Sequence, residues 1–491
     1  METKIMNKSS IYRLSTLALL ALLVLFAANS VYAQTYSVLY DFGTKSGDPL
    51  IPESGLTQGA DGALYGTTGY GGANDTGTVF KSTTAGRVRA LYSFCAESVC
   101  GSGTYTPSSL TLRPDAHFLG ATAVGGASTY GTLFDVTPTG TLTTLYNFSG
   151  GTDGAYPYVP PILSPDGNFY GIVNEGGNEF SKFGCGTAYR LTGAGSSAVF
   201  TLLHEFTAAT EGCNPTSLVL GADGNFYGTA AAGGEVGNGY GTVFKMTRNG
   251  KVTLLHSFDD VHDGAGPYSL ILGNDGNFYG TAALGPSPQQ GTIFKITPGG
   301  TLTVLHVMSG AEGADPAGLV QATDGNFYGV ARNGGSSTNC GPGGCGTLFK
   351  MTPAGELTVL YDFDFTTGAY PLVPIQHTNG VLFGVTHGGG IDDNGNCASG
   401  YCGVLFSLNN HLPPFVALVP SQGRVGILVE ILGQGFTPST TVSFNGKPAA
   451  VKVTSGTQLF ATVPFGATTG YVRVTTSTGT LTSNQRFVVA P

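Results

Sequence analysis

The chain predicts an all-β fold, on three observations. A hexapeptide, Asp275-Gly276-Asn277-Phe278-Tyr279-Gly280, recurs with substitutions seven times, from Asp61–Gly66 to Asn379–Gly384. The spacing is about 50 residues, a period that marks a propeller, a solenoid or an array. Two further motifs also recur seven times: Gly-led runs such as Gly346-Thr347-Leu348-Phe349-Lys350, and apolar runs such as Leu254-Leu255-His256-Ser257-Phe258. All three are rich in β-branched and aromatic residues, Gly-containing turns lie between them, and no segment carries a helical period.

One unit shows how each element follows. Ala317–Gln321 is a short apolar strand, and Thr323-Asp324-Gly325 is its turn, with Gly free to take positive φ. Asn326–Ala331 is the second strand. A Gly-rich loop leads to the third, Gly346–Lys350. Pro353-Ala354-Gly355 turns the chain into the fourth, Glu356–Phe363.

The motif series are out of phase. A fourth-type strand, Val38–Phe42, precedes every other motif, and the last unit stops after its third strand. Tyr36–Phe42 therefore closes a ring by pairing with Gly403–Leu408, and closure removes exposed sheet edges. The prediction is a seven-bladed β-propeller of four-stranded blades over 34–410. The stretch DGNFYGT…GG…GTVFKMT…G.VTLLHSF resembles the GloVer tandem repeats of exported bacterial proteins. That resemblance implies a propeller-like array at the cell exterior and no agreed enzymatic activity.

After His411 the repeat ends. Residues 411–414 contain Leu412-Pro413-Pro414 and read as a linker, and 415–491 suit one small immunoglobulin-like β-sandwich. Gly433-Gln434-Gly435-Phe436, Val442–Ala449 and Ala461-Thr462-Val463-Pro464 are similar to the IPT/TIG domain. The resemblance implies a spacer, adhesin or docking module.

Residues 1–33 read as a signal peptide. Lys4, Lys8 and Arg13 form its basic region, Leu17–Ala28 its apolar run, and Val31 and Ala33 the small residues before a cut at Gln34. The run is short for a membrane span, and nothing later is long and apolar enough to be one. The expected location is secreted or cell-surface, with no transmembrane span after cleavage.

The formal charge is −9 and charged residues make up 10%. No Lys/Arg cluster stands in the mature chain, which argues against nucleic acid and anionic membrane as partners. The eight cysteines read as disulfides. Cys95/Cys100, Cys340/Cys345 and Cys397/Cys402 share one spacing, and Cys185 and Cys213 lie in loops of one face. No CxxC spacing or paired His supports zinc.

Loops joining strands two and three share a face with the crossovers between units, and the tight turns share the other face. The cysteines and the long insertions fall on the first face. That face and its central opening are where a site is expected. Four crossovers carry an acidic-Gly-x-x-Pro pattern, with acids Asp153, Glu211, Asp263 and Glu312. They are read either as turn caps or as an arc that binds a cation or a sugar-rich ligand. His387, His377, Glu175 and Arg332 are non-recurring polar residues placed near the same face. His204, His256 and His306 stand where other units have Tyr and read as scaffold. Asp392, Asn394 and Asn396 space their oxygens as the start of a Ca²⁺ loop does, so Ca²⁺ is the one cofactor suggested. Cys397 at the sixth position and Gly403 at the twelfth depart from that pattern.

There is no G-x-S-x-G, H-E-x-x-H or P-loop, and no catalytic residue stands out. The function expected is therefore an exported binding or surface-scaffold protein, acting as a monomer on a surface protein or polysaccharide. The alternative is an extracellular carbohydrate-active enzyme, a lyase or glycoside hydrolase, with its site in the propeller mouth.

Overall fold

The computed structural model describes residues 34–95, 104–177, 184–193, 195–234, 239–286, 290–391 and 402–490. Among them the sole helical element is one 3-10 turn, Gly195–Ser197. The repeat folds into seven antiparallel sheets, each a blade. From blade one to blade seven the innermost strand starts at Pro49, Thr104, Ile162, Cys213, Ala265, Ala314 and Ala369. The outermost strand of blade seven is Thr35–Asp41, paired with Val404–Asn409 through Tyr36↔Leu408 and Val38↔Phe406. Ring closure thus follows the phase offset in the sequence. Tyr36 stacks on Tyr361 of blade six, with ring centroids 3.6 Å apart, and donates to the Thr367 carbonyl at 2.6 Å.

The recurring residues have physical reasons. In the Asp-Gly-Asn turns the aspartate holds its own turn together. Asp275 accepts from the Asn277 backbone at 3.1 Å, from Tyr279 at 3.0 Å and from Lys295 at 2.9 Å. Burial alone would raise this carboxyl, but bonds from Lys295, Asn277 and Tyr279 outweigh it and bring it down to about 2. The closing Gly of the hexapeptide makes room for the third-strand aromatic ring. A Cβ on Gly280 would sit 2.4 Å from the Phe294 ring, and one on Gly329 2.5 Å from Phe349. Between blades, the residue that ends the fourth strand, aromatic in six blades and Met308 in the other, lies toward the next blade's third strand. Phe42–Phe80, Phe206–Phe244 and Phe258–Phe294 have centroids 5.0–5.3 Å apart.

The C-terminal segment forms two further sheets. One pairs Ala417–Val419, Leu428–Leu432, Gln458–Thr462 and Val451–Val453. The other is built on Gly470–Thr476 and Gly479–Val489. Between them lies a core of Val429, Ile431, Phe444, Leu459, Val472 and Phe487. This sandwich sits on the tight-turn face of the propeller. Thr457 donates to the Ala60 carbonyl at 2.8 Å, Gln434 to Thr378 at 3.1 Å and Asn274 to the Asn484 carbonyl at 3.0 Å. Leu432 shares one core with Ala63 and Tyr65 of blade one. The face that the sequence leaves plain is a docking face.

Two expectations follow. Gly280→Ala forces Cβ into the Phe294 ring and lowers stability by about 1–3 kcal/mol, read from chemical denaturation. Glu430 is fully buried beside the docking face, with Oε1 bonded to Gln458 at 2.6 Å and Oε2 without a partner. Burial, against the Gln458 bond and with Asp115 nearby, pushes its carboxyl up to about 7. The folded state therefore holds a proton that the unfolded chain releases near 4.5. Its stabilising contribution is full below that value and is lost as the pH rises to about 7. Glu430→Gln removes that loss, and a melting series from pH 4 to 8 shows the variant gaining a few °C on the parent at the upper end.

Candidate functional site

The joint between blades determines where side chains point at the ring axis. Each crossover ends in a proline, and five of the seven read Gly-x-x-Pro. The residue before the proline takes a left-handed conformation, with φ of 57° at Ile51, 57° at Tyr156, 58° at Asn214, 56° at Asp315 and 56° at Tyr370. Its backbone N–H then donates to the preceding blade, as Ile51 does to Cys402, Tyr156 to Tyr130, Asn214 to Cys185 and Tyr370 to Cys345, at 2.9–3.1 Å. The proline lies against the Gly that opens the neighbouring third strand. A Cβ on Gly131, Gly186, Gly241, Gly291, Gly346 or Gly403 would sit 2.3–2.8 Å from a proline Cδ.

With the joint so held, two registers face the axis. One is the residue after each proline: Glu53, Ser108, Tyr158, Thr216, Tyr268, Ala317 and Leu372. The other is the third residue after the hexapeptide Gly: Gly69, Ala123, Asn174, Ala231, Ala283, Arg332 and His387. The small members of the second set leave room and the polar members project into it. A Cβ on Gly69 would lie 2.7 Å from a Glu53 carboxylate oxygen. The result is a cavity of about 910 Å³ on the loop face, continued toward the other face by a chamber of about 400 Å³.

The polar groups gather on one arc, from blade five through blades six and seven to blade one. Arg332 lies over the Tyr268 ring, 4.5 Å from its centroid, and donates to the Tyr268 hydroxyl at 2.6 Å. His387 Nε2 is 3.6 Å from Glu53 Oε1. Across the opening stand Tyr158 and Asn174. Burial pushes the Glu175 carboxyl up, and burial with Glu175 nearby pushes the Tyr158 phenol up. Asp315 is also raised by burial, and Arg332 opposes that shift.

Of the residues singled out in the sequence, His387 and Arg332 line this cavity. Asp153, Glu211, Asp263 and Glu312 are not brought together there. Each folds back on the outer strand of its preceding blade. Asp153 accepts from Tyr146 at 2.9 Å, Glu211 from His204 at 2.8 Å, Asp263 from His256 at 2.5 Å and Glu312 from His306 at 3.1 Å. Each also caps the crossover backbone at Ser149, Thr207, Asp259 or Ser309. Asp48 makes the same clasp with Tyr40 at 2.6 Å and the Lys45 backbone at 2.9 Å. His377 is a correction: it lies on the turn face and not near the loop face. Its Nε2 donates to the Gly62 carbonyl at 3.0 Å, and burial lowers its pKa.

Cys185–Cys213 links blades three and four, and Cys340–Cys345 closes a loop of blade six. Cys95 and Cys402 are also disulfide-bonded, while Cys100 and Cys397 lie outside the described residues. So do Asp392, Asn394 and Asn396 of the suggested Ca²⁺ loop, and the signal segment. Among the described residues no three His, Cys, Asp or Glu side chains converge as a metal set, and no helix is long and apolar enough to cross a membrane. Glu53, Tyr158 and Tyr268 were not singled out by sequence reasoning, although aligning the repeats on their prolines brings all three into one register.

The Gloeobacter/Verrucomicrobia repeat matches the chain at 24–180, 158–341 and 215–412. The chain belongs to that repeat family. Its C-terminal part, 413–489, matches the IPT/TIG domain. No curated protein matches the chain. Among solved structures, a fungal alcohol oxidase of the AA5 family in complex with copper is similar, with a TM-score of 0.51 at 13% identity. That match covers 94% of this chain and all of the oxidase, and it speaks to the fold alone. A PQQ-bound aldose sugar dehydrogenase from Streptomyces coelicolor gives 0.41 at 14% identity, over 64% of this chain and 97% of that one. A gluconolactonase from Xanthomonas campestris gives 0.38 at 12%, over 61% and 87%. Neither score is high enough to carry an argument.

The clasp geometry has a direct consequence. Asp263→Ala strips the acceptor from His256 and from the Asp259 backbone. Denaturant melts are expected to show a loss of about 1–3 kcal/mol, with no change in what the mouth takes up.

Proposed function

We propose that this repeat protein is an exported binding protein that holds a saccharide-class ligand in the mouth of its propeller. One observation carries the reading. The repeat keeps its scaffold positions nearly constant and varies two registers, and both face a single cavity. Tyr158 and Tyr268 offer exposed rings on which a sugar stacks, being 51% and 39% accessible. Asn174 and Asn333 line the cavity with amide groups. A large cavity with a few convergent polar groups is the usual form of a ligand site. The sandwich leaves the mouth open, which suits a spacer or docking module. The signal segment and the disulfides support export.

A second reading, an extracellular lyase or glycoside hydrolase, is favoured by the Glu53–His387 pair. An acid and a titratable base 3.6 Å apart in a ligand cavity can move protons to and from a bound sugar.

Thermal melts of the purified protein against soluble polysaccharides and their oligomers test the binding reading. A ligand that binds only the native state raises the midpoint, by an amount that grows with its concentration. A shift that disappears in Tyr158→Ala places the ligand in the mouth, and no shift across the panel overturns the reading. Release of new reducing ends or unsaturated sugars, abolished in Glu53→Gln, moves the assignment to the enzyme.

A further inference from the structure

The arc around Arg332 specifies more than a neutral sugar, and the argument rests on the mouth being the ligand site. Arg332 occupies a register that holds Gly or Ala in four of the seven blades. It is half-buried in the cavity wall, and a guanidinium there is an electrostatic demand on whatever fills the cavity. Its fork is held by the Tyr268 ring and hydroxyl, so the orientation is set before a ligand arrives. Among the described residues no carboxylate forms a close ion pair with it: Asp315 and Glu53 act on it only at longer range, and Glu53 stands nearer to His387. A planar, pre-oriented guanidinium with spare donors matches a carboxylate in bidentate geometry.

The surroundings narrow the anion. Glu53 on the same arc disfavours a doubly charged phosphate more than a singly charged carboxylate. The cavity far exceeds a small inorganic anion. Around the arginine stand tyrosine rings and amide groups, which are the partners of a polyhydroxylated ring.

We propose that the ligand is an acidic saccharide, a uronate or short oligouronate, whose carboxylate is gripped by Arg332 and whose ring lies between Tyr268 and Tyr158. Arg332 sets specificity by charge, and Tyr268 is its positioning residue.

The test is calorimetric titration of the purified exported protein with matched pairs that differ in the carboxyl group. α-1,4-Trigalacturonate is set against α-1,4-galactotriose, and glucuronate and mannuronate trimers against their neutral counterparts. In at least one pair the uronate binds about 10- to 100-fold more tightly, the range expected for hydrogen bonds to a charged group. Raising salt weakens that preference. Arg332→Gln removes it while the melting curve stays cooperative. Arg332→Lys, which keeps the charge without the fork, restores part of it. Tyr268→Phe weakens uronate binding several-fold and leaves the neutral sugar unaffected. Equal affinity for both members of every pair overturns the acidic assignment and leaves the mouth as a sugar site. Uronate binding that survives Arg332→Gln also overturns the assignment. Failure of every sugar to bind overturns both.

Discussion

Everything in this molecule depends on how one blade is held to the next. The crossover must leave an outer strand on the rim, return to the axis and enter the next sheet in register. The chain does this with a small set of fixed parts. A carboxylate clasps a His or Tyr on the strand just left, and a Gly allows the close pass. A residue at positive φ then aims its N–H at the neighbouring blade, and a proline fills the corner against a Gly that has no room for a side chain. Positive φ at a β-branched residue such as Ile51 is strained. Such strain persists only where the surroundings over-determine it. Here the N–H bond to the Cys402 carbonyl and the proline contact with Gly403 do so. Cys185, Cys345 and Cys402 accept three of these joint bonds, and all three are disulfide-bonded.

A joint of this kind frees the positions next to it. The proline fixes its own backbone, so the following residue projects toward the axis whatever its side chain. That is why Glu53, Tyr158, Thr216 and Tyr268 can occupy one register without disturbing the fold. The second-strand register is freed in the same way by the Gly–aromatic pair beneath it, Gly329 with Phe349 and Gly384 with Phe406. Arg332 and His387 replace the small residues of other blades there, with no change in strand pairing. Scaffold and site are therefore separable within each repeat, and the seven blades together hold one asymmetric cavity.

Much of this was legible in the sequence. The strands, the turn residues and the closing strand follow from the period and the phase offset, because those depend on local chemistry. Arg332 and His387 stood out because the repeat itself acts as a control. The residues that escaped notice did so for physical reasons. Glu53 and Tyr268 lie beside a recurring proline and look like part of a loop until the joint shows which way they point. The acids of the crossovers look like a ligand arc because chain order places them on one face. Their bonds go outward to His204, His256 and His306, and one-dimensional spacing cannot show which neighbour a side chain selects. His377 opens the seventh tight turn: its N–H donates to the Val381 carbonyl, as those of Gly221, Gly273 and Ala322 donate in their blades, and that register lies on the turn face.

The sandwich completes the asymmetry between the faces. It touches turns of blades one, four, five and seven, through Ala60, Gly221, Asn274 and Thr378. Those blades stand on opposite sides of the ring, so the module lies across the axis and does not hang from one edge. Its contact surface combines the apolar Leu432, Ala417 and Val419 with the buried, half-satisfied Glu430. A carboxyl in that position is tolerated in its protonated form and resisted as an anion. The sandwich thus covers the turn face and leaves the loop-face cavity open.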